Sequence, residues 1–172
     1  LYKLVQRLAF EETAQRRQFI DAKMAEVRTS LEAKEQDFRA MQEKVGMLRV
    51  EGQVETTYAT MGGLRANIMM REVALRTLAS SSTAQNPAYR NIEAEIAGLK
   101  SQLEKLEQNP HVQNPKFVIA ADRAPQLVME YVRKLRDLKF EEAMYQVVQK
   151  QTELIRMEDT RESTPITRAA SS

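Results

Sequence analysis

The chain has 172 residues, one domain of ordinary length, and its 5 Gly and 5 Pro are too few for a turn-rich β sandwich or barrel. Lys and Arg number 26 against 24 Asp and Glu, and a net charge of +2 gives no strong electrostatic reason to bind nucleic acid. The absence of Cys excludes thiol and disulfide chemistry, while a single His, His111, excludes two-histidine metal sites and argues against a His-based triad.

The chain opens on Leu1-Tyr2-Lys3-Leu4, already inside a pattern and without an initiator Met, which reads as a piece of a longer protein. Leu1, Leu4, Val5 and Leu8 form a short apolar stripe. Ile20, Met24, Val27, Leu31, Phe38, Met41, Val45 and Leu48 follow in steps of four and three, in a different register, with Lys34 occupying one seam position. Such spacing holds one helix face against a partner, as in coiled coils. It predicts a helix over about 1–46, which at 1.5 Å per residue is about 65–70 Å long.

Gly46 and Gly52 bracket the next boundary. Val54, Tyr58, Met61, Leu64, Ile68, Leu75 and Leu78 then predict a helix over about 53–80. Gly62-Gly63 falls inside it, each Gly costing about 1 kcal/mol relative to Ala, and reads as a kink or a close helix approach. Ser80-Ser81-Ser82-Thr83 ends that helix. Asn86-Pro87 supplies an N-cap and a first helical residue, and Tyr89, Ile92, Ile96, Leu99, Leu103 and Leu106 carry the pattern through about 87–108. Residues 110–124, with Pro115 and the run Phe117-Val118-Ile119, predict a loop or a short extended segment. A last helix over about 125–161 starts at Pro125 and carries Leu127, Tyr131, Leu135, Leu138, Tyr145, Val148 and Ile155.

These elements make residues 1–162 an extended helical region and 163–172 a loose polar tail. Glu12 with Arg16, Glu35 with Arg39, Glu72 with Arg76, and Glu130 with Lys134 stand at i, i+4, which marks the outer faces as wet. Each helix is therefore expected to bury one narrow stripe. The fold class read from this is all-α: an elongated antiparallel bundle of long, coiled-coil-like helices.

The chemistry expected of the chain is slight. No stretch approaches the roughly 20 apolar residues that span a bilayer, and no secretory leader is evident. No phosphate-binding Gly-rich loop and no nucleophile elbow occur. The 9 Met fall mostly on the apolar stripes, where gap filling explains them better than metal binding. No catalytic residue, cofactor or metal site is expected. One cluster stands out: Arg133, Lys134, Arg136 and Lys139, with Arg123 upstream. At helical spacing Arg133, Arg136 and Lys139 can share a face suited to an acidic saccharide or to a neighbouring subunit's carboxylates, unless Glu130, Asp137, Glu141 and Glu142 neutralise it locally.

The segment from Asn86-Pro87 to Glu107 and, more specifically, the run Tyr131–Arg156 resemble the polysaccharide co-polymerases, the bacterial chain-length determinant proteins. Leu135-Arg136-Asp137-Leu138-Lys139, Glu142-Ala143-Met144-Tyr145 and Lys150-Gln151-Thr152-Glu153 occupy the places of that family's most recognisable stretch. Leu4–Ala9 and Arg16-Arg17 also resemble the start of its long periplasmic helix. The resemblance implies a non-enzymatic periplasmic region of an inner-membrane protein, with flanking transmembrane helices and an α/β membrane-proximal base that this sequence does not contain. It further implies homo-oligomerisation, partnership with the polysaccharide polymerase and export machinery and with the polysaccharide itself, membrane attachment through segments not present here, and no nucleic acid. A helical-hairpin adaptor of an export or efflux system, or a plain structural coiled coil, remains open beside it.

Overall fold

The computed structural model describes residues 1–46, 48–50, 52–80, 83–119 and 124–163. Five helices dominate: α1 Tyr2–Val45, α2 Gly52–Ala79, α3 Pro87–Glu107, α4 Pro110–Gln113 and α5 Pro125–Ser163. Two short strands, β1 Arg49–Val50 and β2 Phe117–Ile119, pair antiparallel, with Val50 opposite Phe117. The class is all-α, and the four long helices begin and end within two residues of the positions expected from periodicity. Arg123 and residues 164–172 of the expected tail lie outside the described residues. Asn86-Pro87 acts as the sequence predicts, whereas α4 falls where a loop or short extended segment is predicted, because Asn109-Pro110 starts a helical turn of its own. Asn86 and Asn109 each precede a Pro at a helix start, and their Oδ1 atoms accept 2.9 Å hydrogen bonds from the backbone N–H of Ala88 and His111. Gly46, at φ 73°, ends α1 in a conformation closed to most side chains.

The packing order differs from the chain order. α1 and α5 run antiparallel: Asp37 pairs with Lys134 at one end and Arg17 with Asp159 at the other. α5 also packs along α2, and here the two run parallel, since Tyr58 meets Phe140 and Gly62 lies against Phe140 and Ala143. α3 returns antiparallel along α2, joined by Arg65–Glu107, Arg71–Glu95 and Glu72–Lys100. The side-by-side order is α1, α5, α2, α3. A uniformly antiparallel packing is therefore corrected. The β1–β2 pairing brings the chain back to the α1–α2 turn before α5 starts, so α5 enters between α1 and α2 in the direction of α2.

This order also corrects the expectation of one buried stripe per helix. Lys134, Thr152, Ile155 and Asp159 of α5 lie on the α1 side, whereas Lys139, Phe140 and Ala143 lie on the α2 side. At 100° per residue these faces are roughly 150° apart. α5 is the central element because it has two apolar faces.

A core cluster forms where the four segments meet near the turn: Met41 and Val45 of α1, Leu48 and Val50, Val54, Tyr58 and Met61 of α2, and Tyr131, Val132 and Leu135 of α5. The Tyr131 hydroxyl donates a buried 3.0 Å hydrogen bond to the Leu48 carbonyl, tying α5 to the segment entering β1. Burial pushes the Tyr131 phenol above its usual 10.0, with Glu55 adding to the effect; burial likewise raises Tyr58, opposed by Arg136. The folded protein thus prefers the neutral phenols more strongly than the unfolded chain does. Their contribution to stability is complete below about pH 10 and is lost as pH rises through the raised native values. Urea unfolding is expected to show a steeper loss of stability across about pH 9–11 than in the Tyr58→Phe/Tyr131→Phe variant. At neutral pH, Tyr131→Phe alone costs about 1–2 kcal/mol, because the Leu48 carbonyl loses its donor. Equal alkaline slopes in the two proteins would contradict this account.

Candidate functional site

The basic cluster singled out from spacing lies on the first half of α5, and the structure divides it. Lys134 reaches across to Asp37 of α1, with Nζ 3.5 Å from the carboxylate. Arg136 binds Asp137 at 3.0 Å and lies 5.9 Å from the centre of the Phe140 ring, on the α2 side. Lys139 pairs with Glu142 at 3.0 Å. Arg133 alone of the four is exposed. Asp137 and Glu142 supply the local neutralisation that the sequence suggested, and Asp37 adds an acid from another helix. The same preference for partners on other helices redirects three expected i, i+4 pairs: Arg16 approaches Glu158, Glu72 meets Lys100 and Lys134 meets Asp37. Such exposed pairs contribute at most about 1 kcal/mol each, so their value is in fixing helix register.

Beside the cluster, an open groove of about 420 Å³ runs between α1, the start of β1 and α5. Phe38, Leu135 and Leu138 line its apolar wall, with Gln42, Arg49, Glu55 and Lys139 as polar groups. The Phe38 and Tyr131 rings stand 5.2 Å apart and tilted at 47°. Tyr131 lines the groove with its hydroxyl engaged by Leu48. Sequence reasoning found Lys139 alone of the groove's polar residues. Gln42, Arg49 and Glu55 come from three further elements, and no spacing within one helix could have assembled them.

Among the described residues, burial displaces the protonation of the core phenols Tyr58 and Tyr131. Among the described residues no three His, Asp or Glu side chains gather as a metal site. His111 lies exposed on α4, its backbone N–H bound to the Asn109 side chain. No described helix is long and apolar enough to cross a membrane. No protein-family model, curated protein or solved structure matches the chain.

Proposed function

We propose that the chain is the non-enzymatic periplasmic part of an inner-membrane regulator of bacterial surface polysaccharide chain length, acting as an oligomeric scaffold. In this reading the molecule is an elongated bundle of coiled-coil-like helices, antiparallel except for the α2–α5 pair. The observation that carries it is its surface. The accessible area is 12519 Å², against about 8,600 Å² for a compact monomer of this mass. Helices laid side by side leave broad outer faces, as a scaffold that meets neighbours along its length requires.

The resemblance in α5 supports the same assignment, because its motif residues serve packing. Leu135 and Leu138 are buried, and Ala143 gives α2 its close approach. Lys134, Arg136 and Lys139 hold partners within the chain, which leaves Arg133 as the member of the cluster suited to an intersubunit or saccharide contact. The partners in this reading are further copies, the polymerase and export machinery and the polymer.

The test is the size distribution of surface polysaccharide on gels, from a host lacking the gene and after complementation. A discrete modal length is expected to vanish and return, and complementation with Arg133→Glu is expected to shift it. An unchanged distribution with polymer still made would overturn the reading in favour of an export adaptor or a plain coiled coil.

A further inference from the structure

Along its 21 residues α3 buries a single side chain, Ile96. Tyr89, Ile92, Leu99, Leu103 and Leu106 share that face and are only half-buried. α2, by comparison, buries Val54, Tyr58, Met61, Gly62, Ala66 and Ile68. The difference follows from the side-by-side order. α3 stands at an edge and packs chiefly on α2, with the short α4 as a minor neighbour.

The hold is uneven along the helix. Leu103 and Leu106, toward its end, pack against the core cluster at the α1–α2 turn. Before Ile96 no α3 side chain is buried. In this half the attachment to α2 rests on Ile96 and on two ion pairs, Arg71–Glu95 and Glu72–Lys100, both at 2.9 Å. Their four side chains are between 39% and 57% exposed, so salt weakens both pairs. Gly98, between Glu95 and Lys100, lowers the helix propensity of the same stretch, and a Cβ there would meet nothing within 4 Å. Apolar residues lie beneath. Ile68 and Leu75 of α2 stand one turn before and one turn after Glu72, on the face that receives α3. Ile68 is buried and Leu75 half-buried.

We propose that the first half of α3, Pro87–Leu99, is a cover over α2 that opens as a unit while α1, α5 and the core at the turn stay folded, and that ionic strength sets how often it opens. Opening breaks two exposed ion pairs and bares Ile96, Ile68 and Leu75, whereas global unfolding exposes the whole core. The partly open state is therefore the more accessible of the two. A half-helix this short is marginal in water without a partner, so its amides lose protection when the cover lifts.

The test is native-state hydrogen exchange of the whole chain, read residue by residue in NMR spectra, in urea below the unfolding transition. It is run at low salt and at high salt. With intrinsic rates divided out, the amides of Asn91–Leu99 are expected to exchange at least about tenfold faster than those of Leu135–Val148 in α5, and to depend little on urea. The α5 amides are expected to follow the urea slope of global unfolding. High salt speeds exchange in Asn91–Leu99 about fivefold, the effect of screening two half-exposed pairs. Glu95→Gln/Lys100→Gln removes no buried side chain; it is expected to exchange fast in this segment already at low salt and to lose the salt response. Equal protection and equal urea slopes in the two segments overturn the proposal, because α3 then opens only with the whole protein. Rates that fall away steadily from Asn91 to Leu99 also overturn it, since they assign the exchange to fraying of a helix end. So does a wild-type rate that salt leaves unchanged. None of these outcomes depends on chain-length control, and a failed polysaccharide test leaves the opening of α3 standing.

Discussion

Gly62→Ala is expected to destabilise the protein while Gly63→Ala, one residue along, stabilises it. Both glycines lie inside α2, and Ala in a helix interior is favoured over Gly by about 1 kcal/mol. At Gly63 a Cβ meets nothing within 4 Å, so the gain is kept. At Gly62 the Cβ would stand 2.8 Å from Phe140 Cα, 2.9 Å from Ala143 Cβ and 3.1 Å from the Lys139 carbonyl oxygen. Two of these neighbours are backbone atoms, which cannot turn aside as a flexible side chain does. Relief requires α2 to move away from α5 along the parallel seam. Overpacking of this kind costs about 1–3 kcal/mol, and with backbone atoms at 2.8 and 3.1 Å the upper half of that range applies, so Gly62→Ala loses up to about 2 kcal/mol net after the helix-propensity gain of about 1 kcal/mol. Gly62→Leu, with three more carbons in the same place, loses more than about 3 kcal/mol. Urea midpoints moving in opposite directions for the two alanine variants would establish the close approach. Two midpoints that both rise would show that α2 and α5 are not in contact at Gly62.

This pair of neighbours shows where the sequence stops being informative. Gly62-Gly63 reads as a kink or a close approach, and the pattern alone cannot say which glycine faces a partner. The reason is general to this fold. Periodicity identifies the buried side of a helix because it records the alternation of apolar and polar residues along one chain. What lies against that side is set by residues far away in sequence. Helix starts and ends were legible where Asn86-Pro87 and Gly46 act locally, while the single turn of α4 carries too few residues to show a period. The placement of α5 between α1 and α2 was not, since its two apolar faces blur into one broad band in the sequence. Lys134 illustrates the same limit at the candidate site. Glu130 stands at the favourable helical spacing, yet the lysine turns to Asp37, whose proximity only the α1–α5 register creates. The groove beside it draws on four segments and left no trace in any of them.

Phe140 is the point at which these long-range choices converge, and its coupling to Tyr58 is expected to be measurable. Its ring meets that of Tyr58 edge to face at 6.4 Å and 89°, and the Arg65 guanidinium lies 4.6 Å from its centre. Arg65 in turn holds Glu107 of α3 at 2.9 Å, so a chain of contacts runs from α5 through α2 to α3. The links differ in strength for a physical reason. Tyr58 is 1% exposed and fully enclosed in the core, and Tyr58→Ala is expected to cost about 3–5 kcal/mol through lost burial and an unfilled cavity. Phe140 is half-buried, and its truncation costs about 2–3 kcal/mol, scaled down from a fully buried Phe. An edge-to-face ring pair contributes about 1 kcal/mol beyond the area it buries. The Tyr58→Ala/Phe140→Ala double variant should therefore lose about 1 kcal/mol less than the sum of the singles. Arg65 and Glu107 are nearly half exposed, and Glu107→Ala is expected to cost well under 1 kcal/mol because water screens that pair. Additivity of Tyr58→Ala and Phe140→Ala within about 0.3 kcal/mol would remove the ring contact as a source of stability. In that case the α2–α5 seam would be held by the aliphatic core and the close approach at Gly62.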